Sequence, residues 1–420
     1  MRLVLVLVGF LSACGRGGFT QNGAESTACT EGESGSEDCG SGSECLAGLC
    51  IAIDSGPPAS GAVGRGTGFT SYPIDQCQSD ARCSFSVNVG ERPQALSIQD
   101  FNRDGLLDIA AANSGSNNVA LIVGDAVDGF VELSSPSTGT RMRWLAGADF
   151  NGDGLPDLAV AEPDEDRLSL LLGEAVGFAP AIPVPTGDSP NFVVIIDLDQ
   201  DGRDDFLVGT RDGAFVHWQS SDGQFSESSQ FQGMGVVRHI VAGDLDGDSN
   251  LDLVASTTNG QSLLVLLNRG QRNFEPATFE LAGFPLSLVL EDLNSDEVLD
   301  IACALRQTGQ LAVLLGNGDG DFTDALRIEA DPNVAYVHSA DADRDGNVDL
   351  VSCGLATPEA TIHWGQGDGT FRAGPRLPVG QNPVFCEFRD LDAKGSLDLM
   401  TANYGSNDVT ITLNVAEDSP

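Results

Sequence analysis

Short apolar runs alternate with glycine- and aspartate-rich bends along most of the chain, and the alternation repeats in a fixed order. An apolar segment such as FVVIID (192–197) leads into an acidic bend, and a second such as DLAVAE (157–162) leaves one. A polar turn such as NSGSNN (113–118) follows, then a third segment such as NVALIVG (118–124). A Gly-x-Phe-like turn marked by Phe130, Phe178, Phe225, Phe274, Phe322 and Phe371 then precedes a fourth extended stretch. The segments run about 4 to 8 residues and are rich in β-branched side chains, which predicts strands rather than helices.

The acidic bend sets the period. D-x-[DN]-x-D-x-x-x-D begins at Asp100, Asp149, Asp197, Asp244, Asp292 and Asp341, with a degenerate copy at Asp390, at intervals of 49, 48, 47, 48, 49 and 49 residues. Such constancy means one module used seven times, no copy able to bury both of its faces alone. Four antiparallel strands per module predict an all-β chain, a seven-bladed β-propeller of four-stranded blades around a channel. The last module ends after its third segment, VTITLNV (409–415), whereas SFSVNVGERP (84–93) matches a fourth segment and its turn. Pro93 precedes Asp100 by seven residues, just as Pro383 precedes Asp390. The N-terminal strand is therefore expected to complete the last blade and close the ring.

Composition narrows the partners. With 62 acidic residues against 21 basic ones the formal net charge is −41, which repels nucleic acid and anionic lipid and makes cations the natural ligands. Lys394 is the sole lysine. At the start, MRLVLVLVGFLSACGRGG has an apolar run, Leu3 to Leu11, too short to span a bilayer. Its Leu-Ser-Ala-Cys box resembles a bacterial lipoprotein signal. The resemblance implies removal of residues 1–13, lipidation of Cys14, and an exported protein anchored in the cell envelope at the outer membrane or cell surface. Residues 14–68 then form a Cys-containing, Gly/Ser-rich tether, 69–415 the propeller and 416–420 a tail. Cys29, Cys39, Cys45 and Cys50 suit two disulfides of open connectivity, and Cys77 and Cys83 a small closed loop. Cys303, Cys353 and Cys386 lie in apolar runs and read as buried thiols.

The acidic bends have the chemistry of a calcium loop. Calcium takes about six to eight hard oxygen ligands, and nine residues can offer side chains at positions 1, 3, 5 and 9 with a carbonyl at 7. The first bend supplies Asp100, Asn102, Asp104, the carbonyl of Leu106, and Asp108; the second Asp149, Asn151, Asp153, Leu155 and Asp157. The third has Asp197, Asp199, Asp201, Arg203 and Asp205, and the fourth Asp244, Asp246, Asp248, Asn250 and Asp252. Asp292, Asn294, Asp296, Val298 and Asp300 form the fifth set, and Asp341, Asp343, Asp345, Asn347 and Asp349 the sixth. Position 6 is glycine in four of these bends, which suits a positive φ, but Ser249 and Glu297 stand there in the fourth and fifth. In the seventh, DLDAKGSLD (390–398), Lys394 occupies position 5, so this loop is expected to be empty of metal while the other six are loaded. An EF-hand would need an acid at position 12, where the bends carry Ala111, Val160, Val208, Ala255, Cys303, Ser352 and Thr401.

These bends, with strings such as AANSGSNNVALIVGD and LLGNGDGDF, resemble the FG-GAP and VCBS repeats of the family that includes the integrin α-subunit propeller. The resemblance covers 84–415. It implies calcium loops between first and second strands on a lower face, with ligand contacts on the opposite, upper face.

For catalysis the sequence offers no His-Glu-x-x-His, Gly-x-Ser-x-Gly or phosphate loop. His217 and His363 each precede a tryptophan in a third segment. Five residues before each bend lie Ala95, Trp144, Phe192, His239, Ser287, Tyr336 and Phe385, one per blade, forming a ring that either plugs the channel or lines a ligand mouth. The preferred reading is a non-enzymatic recognition or adhesion module for a protein or glycan. The alternatives are a polysaccharide lyase or hydrolase drawing on Arg141, Arg143, Arg238, His239, Tyr336 and His338, and a purely structural envelope protein. If the bends hold ions in the folded state only, chelation lowers the melting temperature sharply by mass action. An unchanged melt in EDTA contradicts the metal assignment.

Overall fold

The computed structural model describes residues 30–31, 37–38, 43–46, 49–52 and 83–415, apart from 126–128, 175–176, 222, 226, 233–234, 259–260, 324–325 and 414. The expected signal peptide, Cys14, Cys29, Cys39, Cys77 and the 416–420 tail lie outside the described residues. Ser43–Leu46 pairs antiparallel with Leu49–Ala52 and sets Cys45 opposite Cys50. Among the described residues no helix is long and apolar enough to cross a membrane.

Seven four-stranded antiparallel sheets follow one another, six of them with their strands in chain order. Blade 1 begins at Pro93–Gln99, blade 2 at Trp144–Ala148, blade 3 at Phe192–Ile196 and blade 4 at Val237–Gly243. Blades 5, 6 and 7 begin at Pro285–Glu291, Val334–Ala340 and Pro383–Arg389. The seventh sheet takes its fourth strand from the other end of the chain. Cys83–Asn88 pairs antiparallel with Asp408–Leu413, running from Asp408 opposite Asn88 to Leu413 opposite Cys83. Ser86 shares a hydroxyl bond with Thr410 (2.9 Å), and Thr412 donates to Ser84 (3.0 Å). Cys83 is disulfide-bonded. The expected closure by the N-terminal strand is thus observed.

Second strands show why the ring forms. Each of the seven, from Asp108–Asn113 to Asp398–Asn403, is buried at all six positions. A strand covered on both faces carries a continuous small apolar run, as in DIAAAN, DLAVAE and DIACAL, instead of strict alternation. The cover comes from neighbouring blades. Leu121 and Val123 of blade 1 pack with Leu158 and Val160 of blade 2, and Ala159 and Ala161 with Val193 and Phe206 of blade 3. The cluster holding Trp364, Phe388, Ile411 and Ile109 joins blades 6, 7 and 1. Fourth strands are outermost and mostly exposed, as in Phe274–Glu280. Cys303, Cys353 and Cys386 are free and fully buried within this packing.

Because the closing strand supplies one quarter of a blade and pairs directly with the chain's far end, its removal should open the ring. A chain beginning at Gly90 is expected to melt well below one beginning at Phe69, with a broader transition by circular dichroism. Coincident melts would show that the ring closes without it.

Candidate functional site

All seven acidic bends lie between first and second strands, hence at one end of every blade. Their local fold is written by short-range hydrogen bonds. Asp100 accepts the N–H groups of Asp104 (3.1 Å) and Gly105 (2.9 Å), Asn102 accepts that of Asp104 (2.9 Å), and Asp104 that of Leu106 (2.8 Å). The bends at Asp197 and Asp292 repeat the pattern, with the carboxylate at position 1 taking the N–H groups at 5 and 6. These side-chain-to-backbone bonds turn position 1, 3 and 5 oxygens toward one centre.

The backbone takes a left-handed conformation twice in each bend. Position 6 does so in every copy, and Ser249 (φ 72°) and Glu297 (φ 68°) adopt it despite their Cβ atoms. Position 4 does so as well, which the sequence alone did not reveal because Arg103, Gln200, Ser295, Arg344 and Ala393 stand there with φ between 55° and 64°. Each such residue costs about 1 kcal/mol or more, so the bends store strain that their hydrogen bonds must offset. The exposed position-4 side chains bridge adjacent blades: Arg103 donates to the carbonyl of Asp153 (3.5 Å) and Gln200 to that of Ser249 (2.5 Å).

Position 9 is the most buried donor. Asp108, Asp157, Asp205, Asp252, Asp300, Asp349 and Asp398 are at most 1% exposed. One oxygen of Asp108 accepts the N–H of Phe101 (2.8 Å), and the other accepts that of Gly124 at the end of the third strand (2.8 Å). Asp252, Asp300 and Asp349 make the same pair of bonds in their own blades. Burial pushes these carboxyls up, to about 7 for Asp108 and Asp205 and about 6 for Asp157, Asp252, Asp300 and Asp349.

The donors converge most closely where position 3 is aspartate. Carboxylate oxygens of Asp197, Asp199 and Asp205 lie within 4.8 Å of one another, as do those of Asp244, Asp246 and Asp248, of Asp341, Asp343 and Asp349, and of Asp390, Asp392 and Asp398. Buried oxygens of Asp199, Asp341 and Asp390 have no hydrogen-bond partner among the described residues, which leaves them open to a cation. Where position 3 is asparagine, its amide donates instead to the position-5 carboxylate: Asn102 to Asp104 (2.9 Å), Asn151 to Asp153 (3.0 Å) and Asn294 to Asp296 (2.9 Å).

Protein cations reach several bends. Lys394 pairs with Asp392 at 2.9 Å. Arg203 pairs with Asp201 within its own bend, and Arg269 with Asp246. Arg272 crosses from blade 4 to Asp199 of blade 3 (2.8 Å) while its guanidinium lies 4.2 Å over the Trp218 ring. The arginines at 269 and 272 are distant from their partners in sequence, and only the lysine inside its own motif announced itself.

At the opposite end of the first strands the ring residues meet across the axis. Trp144 lies 4.5 Å from Phe192, 5.7 Å from His239 and Phe385, and 5.8 Å from Tyr336 between ring centroids. These rings fill the channel, and Ala95 and Ser287 are buried beside them. His239 has both ring nitrogens buried without partners, and burial pushes it down to about 3, so it stays neutral. His217 and His363 are also buried and pushed down from their ordinary range. His338 is pushed down to about 3 by burial beside Glu387.

Comparison with known proteins gives a consistent picture. The sequence profile described as the FG-GAP-like repeat matches five overlapping stretches, 100–160, 149–208, 197–255, 244–303 and 292–352, together more than half of the chain. No curated protein matches. Among solved structures, BBS1N in complex with ARL6DN is 12% identical with a TM-score of 0.56, covering 78% of this chain and 95% of its own. A protein from Lactobacillus plantarum is 14% identical (TM-score 0.55, covering 70% and 87%). An Agrocybe aegerita lectin that recognises non-reducing terminal N-acetylglucosamine is 17% identical (TM-score 0.50, covering 73% and 82%). At such identities the likeness establishes the fold alone.

The raised carboxyls fix a pH dependence for the metal-free protein. A folded-state carboxyl above its unfolded value binds protons more tightly in the fold, so stability is greatest at the acidic end and falls as pH rises from about 4 through 6 to 7. Exhaustively demetallated protein is expected to melt at a lower temperature at pH 8 than at pH 5.5, with added divalent cation narrowing the gap. A metal-free melting temperature that rises over this window would contradict the burial of unpaired position-9 charge.

Proposed function

The chain belongs to the FG-GAP-like repeat family, and from that premise we propose that it is a calcium-loaded binding propeller whose upper face meets a protein or glycan. The observation that carries the reading is the division between the two ends of the blades. One end repeats the same acidic bend seven times, and the other presents turns that differ from blade to blade. A repeated end suits a structural ion, and a varied end suits recognition.

Calcium is the preferred ion because every donor is a hard oxygen, with no histidine or cysteine in the bends. Among the described residues no arginine or lysine pairs with Asp341, Asp343, Asp345 or Asp349, whose oxygens converge, whereas Arg272 and Arg269 compete for Asp199 and Asp246 in the third and fourth bends. Six bends are read as loaded. In the seventh, the Lys394 ammonium stands in for the metal. The solved fold neighbours include one with a protein partner and one that recognises a terminal sugar, and both ligand classes are candidates here. We read the chain as non-enzymatic, since its four histidines are held in buried or partly buried packing positions with their basicity depressed. Export and lipid anchoring through Cys14 complete the reading, placing the propeller at the cell surface.

Calorimetric titration of the demetallated protein with calcium should return about six equivalents, and Lys394→Asp should add one and raise the calcium-dependent melting temperature. A glycan array and a surface-protein panel, each run with and without EDTA, should give ligand binding that is lost on chelation. An unchanged stoichiometry in Lys394→Asp would remove the stand-in role. Absence of any calcium-dependent ligand would favour a purely architectural protein.

A further inference from the structure

The upper mouth carries positive charge that the rest of the molecule does not explain. Arg143 and Arg238 immediately precede Trp144 and His239, whose rings are 5.7 Å apart in the channel plug. Arg306 follows the second strand of blade 5, and Tyr404 that of blade 7. Arg143, Arg238, Arg306 and Tyr404 thus stand at the upper ends of first or second strands in blades 2, 4, 5 and 7, next to the axis that the plug fills. Arg92 adds its guanidinium 5.7 Å from the Tyr404 ring.

The cluster lacks counter-ions. Among the described residues no carboxylate pairs with Arg143 or Arg238, and the Arg238 Nε is buried without a hydrogen-bond partner. Arg306 donates to the neutral Asn333 (2.9 Å). Several acids at the same end of the blades are already engaged: Glu162 by Arg167 (2.7 Å), Asp164 by Arg141 (3.5 Å) and Asp331 by Thr357 (2.5 Å). Arg238 is half-buried, and Arg143 and Arg306 are exposed to solvent at this end of the channel. Unpaired like charges held together in a chain of net charge −41 are costly unless an anion offsets them.

We propose that this arginine cluster over the plugged channel is an anion-binding mouth that takes the acidic end of a saccharide, with Arg143, Arg238 and Arg306 holding its oxyanion and Tyr404 beside it. The guanidinium fork matches a uronate carboxylate or a sulfate ester by paired N–H donation. A chain end suits the site better than an extended polyanion, because the acidic remainder of the surface repels every charge that does not reach the mouth. For the same reason a small saccharide is favoured over an acidic protein.

This inference rests on reading the upper face as the ligand face. The test is calorimetric titration of the calcium-loaded protein with a terminal-uronate disaccharide, a sulfated disaccharide, their neutral parent and an acidic peptide. At least one acidic disaccharide is expected to bind about tenfold or more tighter than the neutral parent. Arg143→Gln and Arg238→Gln should abolish that preference, while Arg211→Gln, at a rim arginine 3.8 Å from Asp188, should keep it. Melting temperatures of the two mouth variants without ligand should be unchanged or higher, since each removes repulsion, and this confirms that they fold. Equal binding of neutral and acidic sugars, a preference that survives both variants, or binding of the acidic peptide alone overturns the proposal. A neutral glycan bound equally by wild type and variants would remove the anionic mouth yet leave the binding-module reading intact.

Discussion

One buried carboxylate per blade holds this architecture in place. The aspartate at the ninth position of each bend opens the second strand, and in blades such as the first it clasps an N–H from the bend with one oxygen and an N–H from the end of the third strand with the other. It therefore fixes the bend to two strands at once, inside a layer where every second-strand position is buried. Charged acceptors make strong hydrogen bonds to backbone donors, but ionising a carboxyl in such a place is costly. Burial raises these groups to about 6 or 7, and a divalent ion beside them would favour the charged form that the two clasping bonds require.

From this follows the shape of the molecule's surface chemistry. The end that must gather carboxylates becomes uniform and strongly acidic, with positions 4 and 6 forced into left-handed backbone. The other end is free of that demand, so its turns vary and its first-strand rings stack into a plug around Trp144. A ring sealed by Cys83–Asn88 gives both ends a common rigid frame.

Much of this was legible in the sequence because a repeat magnifies weak signals. A single D-x-N-x-D motif is ambiguous, but copies starting from Asp100 to Asp390 at intervals of 47 to 49 residues left one fold class standing. Even the closing strand could be read, since SFSVN occupies the register that the last blade lacks. What escaped were features set by three-dimensional proximity. Arg103, Gln200 and Arg344 gave no sign of positive φ, because the bend imposes the conformation against their intrinsic preference. Arg272 reaches Asp199 across 73 positions of chain, and no local pattern foretells it. The ring from Trp144 to Phe385 falls on the first strands, as counting back five residues from each bend places it, yet whether it opens or fills the channel depends on side-chain size summed over seven blades. Fully buried Leu, Ala and Val runs in the second strands likewise fixed strand identity without revealing which blade covers which.

The measurement that bears most directly on the central claim is anomalous scattering from crystals soaked in a heavier calcium analogue such as a lanthanide. The account predicts strong peaks within the six bends from Asp100 to Asp349, each ringed by the oxygens of positions 1, 3, 5 and 9, and no peak in the bend that contains Lys394. Bends without peaks, or ions bound only elsewhere on the acidic surface, would contradict it.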